Sequence, residues 1–103
     1  MSKVYFTLTG TKHYYGQEFL KPGMRILLEK EPDNEYDKEA IIVKLEGLGK
    51  LGYVANSPYT VIGDSLSAGR LYDCIRKKAY GKVILVTPQG VLCKVNKKSL
   101  VGY

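Results

Sequence analysis

The amino-acid sequence predicts an all-β domain with one helix, folded as a small six-stranded OB- or SH3-like barrel that is closed or nearly closed. Apolar and polar residues alternate with a period of two along most of the chain, and turns rich in glycine and proline separate the alternating runs. The strand–helix rhythm of a parallel α/β fold does not occur. Closure would remove the unpaired edges that short strands otherwise expose. The 103 residues fit one domain, and we assign residues 1–103 to it.

Four strands are predicted in the first half of the chain, at residues 4–9, 24–29, 41–45 and 50–54. In the first strand Tyr5 and Thr7 separate Val4, Phe6 and Leu8. This spacing of two places the three apolar side chains on one face. The last two strands are separated by Gly47-Leu48-Gly49, and a short glycine turn between two such runs is typical of a β-hairpin.

One helix is predicted, at residues 58–68. Ser57 can cap its N terminus, Pro58 suits the first helical position, and Gly69 can end the helix in a left-handed conformation. The apolar stripe that would pack this helix against the barrel consists of Val61, Ile62 and Leu66.

Three further strands are predicted at residues 71–80, 82–87 and 91–95, with turns at 80–81 and 88–90. Cys74 and Cys93 fall inside two of these strands. Neither has the CxxC or Cys/His spacing of a zinc site, and we predict two buried free thiols.

The sequence offers little material for catalysis. His13 is the sole histidine, so hydrolytic triads and histidine-rich metal centres lack their residues. No phosphate-binding GxxxxGK[ST] loop occurs. The acidic run around Asp33 and Asp37 lacks the glycine that a calcium loop requires. We therefore predict a protein that is not an enzyme and that holds no metal or cofactor.

The sequence also bears on localisation. No apolar run approaches the ~20 residues of a membrane-spanning helix. The first ten residues lack the apolar stretch of a signal peptide. We expect a soluble, intracellular protein of the cytoplasm, without a membrane partner.

The charge distribution favours a nucleic-acid partner. The chain carries a net charge of +6, but residues 1–46 hold seven Lys/Arg against eight Asp/Glu, whereas residues 47–103 hold nine against two. Such an asymmetry is more typical of nucleic-acid binding than of a requirement of the fold. In the basic half, the candidates for phosphate contact are Arg76, Lys78 and Lys82. A solvated basic surface without a partner is the alternative.

Tyrosine is the second indication of nucleic-acid binding. The chain has nine tyrosines and no tryptophan. A tyrosine ring stacks on a nucleic-acid base with about 1–3 kcal/mol per base. The tyrosines at predicted strand ends or turns are Tyr14, Tyr15, Tyr36 and Tyr53. Simple alternation predicts that one ring of the Tyr14/Tyr15 pair points inward.

Four motifs carry a resemblance to a known family: Gly10-Thr11-x-x-Tyr14-Tyr15-Gly16, Pro22-Gly23-Met24, Glu31-Pro32-Asp33-Asn34-x-Tyr36-Asp37-x-x-Ala40-Ile41-x-Val43 and Leu51-Gly52-Tyr53-Val54. With this pattern, dense over roughly residues 4–95, the chain resembles the HIRAN domain as a stand-alone, bacterial-type member. The central PDNxYDxxAI motif is specific. In eukaryotes such domains belong to helicase-like ATPases that remodel replication forks.

The resemblance implies a modified OB-type barrel that captures the 3′-hydroxyl end of single-stranded DNA. It implies that Tyr14 and Tyr36 sandwich the terminal bases and that Asp37 accepts a hydrogen bond from the free 3′-hydroxyl. The residues that would line the mouth or meet phosphates are His13, Lys38 and Tyr53. The chain departs from the pattern at His13, where better-known members carry arginine, because imidazole cannot make a bidentate phosphate contact.

Two further hypotheses remain open. The barrel can instead be a protein-interaction or oligomerisation module that uses its tyrosine-rich rim, or a nuclease. A nucleic-acid complex weakens steeply with ionic strength, whereas an apolar protein interface does not, and a nuclease turns over an oligonucleotide with a metal.

Overall fold

The computed structural model describes residues 3–101, which form one closed antiparallel barrel of six strands. The strands are β1 (Tyr5–Thr9), β2 (Arg25–Lys30), β3 (Ile41–Leu45), β4 (Gly49–Val54), β5 (Lys78–Thr87) and β6 (Gly90–Val95). The helix α1 spans Ala68–Tyr72, and 3-10 turns lie at Thr11–His13 and Lys97–Ser99. Around the barrel the order is β1-β4-β3-β2-β5-β6, which closes again on β1. The predicted all-β barrel with one helix is confirmed.

The inward-facing rows of the strands form the core. Its fully buried side chains include Phe6, Leu8, Ile26, Leu28, Ile41 and Val43. Each of these positions belongs to the alternating pattern of its strand, so the same side chains that define the pattern fill the barrel. None of the helices within residues 3–101 is long and apolar enough to cross a membrane.

The helix lies elsewhere than predicted. Residues 58–67 are a loop, and α1 begins only after Ser67, whose side chain accepts a hydrogen bond from the backbone N–H of Arg70. The backbone N–H of Ile62 donates to Thr7 Oγ1 at 2.9 Å, and Gly63 adopts a φ of 53°. The prediction of a helix at residues 58–68 is wrong because these tertiary contacts with β1 compete with the helical hydrogen bonds.

The predicted strand at residues 71–80 is also wrong. Residues 71–72 end α1, and β5 runs without a turn from Lys78 through Gly81 to Thr87. A Cβ atom at Gly81 would collide with the carbonyl oxygen of Lys94, so glycine allows β5 and β6 to approach closely here.

The two cysteines consequently differ. Cys74 lies outside any strand and is half-buried, whereas Cys93 lies in β6 and is buried, and both are free thiols. The prediction of two buried thiols therefore holds only for Cys93. Burial raises the pKa of the Cys93 thiol to about 12.

A bulge and a glycine shape β4, which carries part of the candidate site. The pairing with β3 shifts between Val43 and Lys44, so that Val43 lies opposite Gly52 and Lys44 opposite Lys50. Gly52 also faces β1, where a Cβ atom would collide with the carbonyl oxygen of Thr9. The barrel can close between β1 and β4 only if residue 52 has no side chain.

We expect Gly52→Ala to destabilise the barrel. The added methyl group would meet the backbone of Thr9 in the paired strand β1, and overpacking of this kind costs about 1–3 kcal/mol. Urea unfolding monitored by circular dichroism measures the change.

Gly69→Ala is the matched control. Its Cβ atom would lie 2.7 Å from Glu39 Oε1, at the flexible end of an exposed side chain that can move away. Since alanine also favours a helical position, this variant should be as stable as the parent or more stable. Equal destabilisation by both substitutions would contradict the role of Gly52 in closure.

Candidate nucleic-acid interface

The loop between β2 and β3 is held in one conformation by its own hydrogen bonds. The backbone N–H of Glu31 donates to the carbonyl of Ala40 at 2.9 Å and closes the base of the loop. Inside it, Asn34 Oδ1 accepts from the backbone N–H groups of Tyr36 at 2.9 Å and Asp37 at 3.0 Å. This Asx turn fixes the backbone from which the Tyr36 and Asp37 side chains project.

The Glu31 carboxylate connects this loop to the barrel wall. Its Oε1 atom accepts from Asn34 Nδ2 at 2.6 Å and from the Tyr53 hydroxyl at 3.0 Å. The same hydroxyl accepts from Lys50 Nζ at 3.3 Å. We call these four residues, Lys50, Tyr53, Glu31 and Asn34, the buttress, because they form one continuous chain of hydrogen bonds from β4 to the loop.

Tyr14 joins the buttress through Lys50. The ammonium lies 5.4 Å from the centroid of the Tyr14 ring and 5.2 Å from that of Tyr53. Both distances are within the range of cation–π attraction. Lys50 therefore lies between the two tyrosines and helps to fix the position of the Tyr14 ring.

The buttress shifts the pKa values of two of its members. Burial raises the pKa of the Tyr53 hydroxyl, and its hydrogen bond to the Glu31 carboxylate raises it further. The pKa of Lys50 is raised chiefly by its hydrogen bond to Tyr53. Both groups are thus held in their protonated forms, which the hydrogen-bond chain requires.

The Asp37 carboxylate links the loop to α1. Its Oδ1 atom accepts from the backbone N–H of Glu39 at 2.9 Å, and its Oδ2 atom accepts from Asn56 Nδ2 at 2.8 Å. Asn56 Oδ1 in turn accepts from the backbone N–H of Gly69 at 2.8 Å. Asp37 is therefore positioned from two sides while remaining partly exposed.

The aromatic rings of the site face solvent. Tyr36 is 93% exposed although its backbone is fixed, and Tyr14 and Tyr15 are 40% and 56% exposed. The prediction that one of Tyr14 and Tyr15 points inward is wrong, because both follow the 3-10 turn at Thr11–His13 and lie in no strand. Alternation applies only to extended backbone.

His13 and Lys38 lie apart from the buttress. His13 is exposed at the end of the 3-10 turn, where it lines a groove with Gln17 and Gln89. Lys38 is exposed in the loop directly after Asp37.

The three candidates of the basic half occupy two places. Arg76 precedes β5, and the backbone N–H of Lys30 donates to the carbonyl of Lys77, which brings residues 76–78 to the end of β2. Lys82 lies further along β5, opposite Arg25. Lys78 and Lys82 share the exposed face of β5 with Tyr80 between them, but Lys78 lies opposite Glu29 whereas Lys82 lies opposite Arg25.

Sequence reasoning missed several residues of the site: Lys50, Glu31, Asn34 and Asn56. Glu31 and Asn34 belong to the quoted motif, which could have indicated them as supports of the loop. Lys50 gave no signal, because strict alternation places residues 50 and 53 on opposite faces. The bulge in β4 brings both to one side.

Within residues 3–101, no group of three or more His, Cys, Asp or Glu side chains is arranged to hold a metal ion. The Asp37 carboxylate instead accepts the hydrogen bonds from Glu39 and Asn56 described above.

Comparison with known proteins identifies the family. The HIRAN domain pattern matches residues 1–67, about two-thirds of the chain. The chain belongs to the HIRAN domain family. HIRAN domains are generally DNA-binding modules, which supports nucleic-acid binding by this member.

Among solved structures, the chain is similar to a protein from Lactobacillus plantarum whose crystal structure was determined by a structural genomics consortium. The two are 27% identical, with a TM-score of 0.61, over 91% of this chain and 93% of that one. No curated protein matches the chain.

We expect Tyr53→Phe to weaken the buttress without disrupting the barrel. Loss of the hydroxyl removes the link between Lys50 and Glu31 and should cost about 1 kcal/mol in the free energy of unfolding at pH 7. Urea unfolding measures this, and Tyr59→Phe is the control because the Tyr59 side chain is 96% exposed.

The pH dependence of the same variant has a definite sign. Because the folded-state pKa values of Tyr53 and Lys50 are raised above 10.0 and 10.5, the unfolded chain releases these protons first as the pH rises. The parent should therefore lose more stability than Tyr53→Phe as the pH rises above 10.0, the ordinary pKa of tyrosine. An equal loss in both would show that the hydroxyl is not coupled to the buttress.

Proposed function

We propose that this HIRAN domain is a non-catalytic module that binds single-stranded DNA and prefers a free 3′-hydroxyl end. The observation that supports the proposal is the combination at residues 36–37. An almost fully exposed aromatic ring and a carboxylate follow one another on a backbone fixed by Asn34. A fixed, exposed ring loses little conformational freedom when a base stacks on it.

Tyr36 and Tyr14 supply the stacking surfaces in this proposal. Tyr36 projects from the loop, and Tyr14 projects from the turn after β1, next to Lys50. Lys50 adds positive charge beside the Tyr14 ring, where it can meet a phosphate of the stacked nucleotide.

Asp37 supplies the end recognition. An ionised carboxylate offers about four acceptor positions, and the bonds from Glu39 and Asn56 use one on each oxygen. A further acceptor position on each remains for a ligand. A carboxylate repels phosphates, so it favours a nucleic acid only where a donor faces it, and the terminal hydroxyl is a donor that an internal phosphodiester lacks.

We expect Asp37→Asn to abolish the preference for a free 3′ end. A hydrogen bond to a charged acceptor contributes about 1.5–3 kcal/mol, so affinity for a free 3′-hydroxyl should fall about tenfold or more. A 3′-phosphorylated strand should bind the parent worse than a free end, and the variant should discriminate less between the two. Fluorescence anisotropy with free, phosphorylated and blocked 3′ ends measures all three affinities.

Asn56→Ala is the control for this experiment. It removes the structural bond to Asp37 Oδ2 and leaves the carboxylate in place. The end preference should survive in Asn56→Ala and vanish in Asp37→Asn. If the parent binds free, blocked and internal single strands alike, Asp37 is a turn residue and the end-recognition proposal is wrong.

We expect Tyr36→Ala to weaken binding of free and blocked ends by the same factor. Stacking does not depend on the terminus, and loss of one stacked base costs about 1–3 kcal/mol. Tyr59→Ala removes an equally exposed ring from a different loop and should leave both affinities unchanged in the same anisotropy assay. An equal loss from both substitutions would indicate unspecific aromatic contacts.

A further inference from the structure

A row of positive charges crosses three neighbouring strands away from the site described above. Arg25 of β2 lies directly opposite Lys82 of β5, and Lys82 lies directly opposite Lys94 of β6. Like charges directly opposite on one sheet face destabilise it. Such a row lowers the stability of the folded chain. Its presence therefore points to a role other than stability.

Among residues 3–101, no carboxylate lines the pocket around this row. The one ion pair within residues 3–101 joins Lys44 to Glu29 instead. Lys97, on the 3-10 turn after β6, adds a fourth cation to the lining. We call Arg25, Lys82, Lys94 and Lys97, together with Tyr80, the basic pocket.

The basic pocket has a defined shape. It encloses about 380 Å³. The central carbon of the Arg25 guanidinium lies 4.0 Å from the centroid of the Tyr80 ring, so the guanidinium packs over the face of this ring. The turn that bears Lys97 is tied to β5, because the backbone N–H of Asn96 donates to the carbonyl of Tyr80 at 2.8 Å.

We propose that the basic pocket binds the internal phosphodiester backbone of a single-stranded nucleic acid. Four cations that converge without a carboxylate match a polyanion, and the stacked Arg25–Tyr80 pair presents a flat surface to a base. The site goes beyond end recognition, since none of its residues contacts Tyr36, Asp37 or the buttress in any hydrogen bond described above.

The position of the pocket on the barrel separates the two sites. In the closed order β5 lies three strands from β4, which carries Lys50 and Tyr53. Two sites on opposite walls of one barrel allow a single molecule to contact two stretches of nucleic acid.

The test uses circular single-stranded DNA, which has no ends, and the double variant Lys82→Gln/Lys94→Gln. Lys21→Gln/Lys98→Gln is the matched control, because it removes the same charge at exposed positions that do not line the pocket. Binding is measured by anisotropy over a range of salt concentrations. We expect the pocket variant to bind several times more weakly than the control, with a salt slope reduced by about 1.4, or about 0.7 for each lost phosphate contact.

Two outcomes of the anisotropy experiment would overturn the proposal: failure of the parent to bind circular DNA, and equal effects of the two double variants. A third is tight binding of adenosine triphosphate in the basic pocket that a short oligonucleotide does not displace. The amide signals of Gly81, Lys82 and Lys94 in NMR spectra report the last of these. This test does not depend on end recognition, because circular DNA has no 3′ end. The variant Asp37→Asn should therefore bind circular DNA as tightly as the parent does.

Thermal unfolding tests whether the pocket variant binds DNA more weakly only because it has lost its fold. Relief of the repulsion between opposite lysines should raise the melting temperature of the pocket variant by a few degrees. A weaker binder that is also less stable than the control would contradict the proposal.

Discussion

The close backbone contact between β1 and β4 is the constraint on which the rest of this structure depends. The two strands pair only at Leu8–Val54 and Thr9–Tyr53, and the absence of a side chain at Gly52 lets them meet. This contact closes the barrel. It also places the turn after β1, with Tyr14, above the strand that carries Lys50 and Tyr53.

Rigidity and exposure are combined at the loop that bears Tyr36 and Asp37. Long surface loops usually gain mobility because their backbone groups bond to water. Here the Asn34 side chain and the Asp37 carboxylate accept hydrogen bonds from those groups, and the Glu31 carboxylate holds the Asn34 side chain in place. The polar residues of the motif satisfy the backbone, so the aromatic ring is left to face solvent rather than to stabilise the fold. A residue that contributes so little to packing is free to serve binding.

The sequence allowed the barrel, five of its six strands (β1 to β4 and β6) and the loop motif to be predicted, because these depend on alternation and on local turn chemistry. It misplaced the helix, since the helical start at Ser57 is interrupted by a bond from Ile62 to Thr7, 55 residues away in sequence. The prediction also divided β5 into two strands at Gly81. In a sequence, a glycine that allows two strands to approach closely looks the same as a glycine in a turn. Lys50 was missed for a related reason. A bulge changes which side chains share a face, and periodicity assumes that no bulge is present.

The fold distributes the charges of the chain unevenly between the buttress and the basic pocket. At the buttress, acidic and basic groups are joined in one hydrogen-bond chain. In the proposed mode of binding, discrimination there depends on stacking and on the geometry of the Asp37 carboxylate. Charge of one sign instead accumulates around the basic pocket, whose lining holds Arg25, Lys82, Lys94 and Lys97 and no acidic residue. Placing the same cations beside Asp37 would attract internal phosphates and weaken the distinction between an end and a backbone. In the two proposals made above, separation of the basic pocket from Asp37 on opposite walls lets affinity come from charge and selectivity come from a carboxylate within one small barrel.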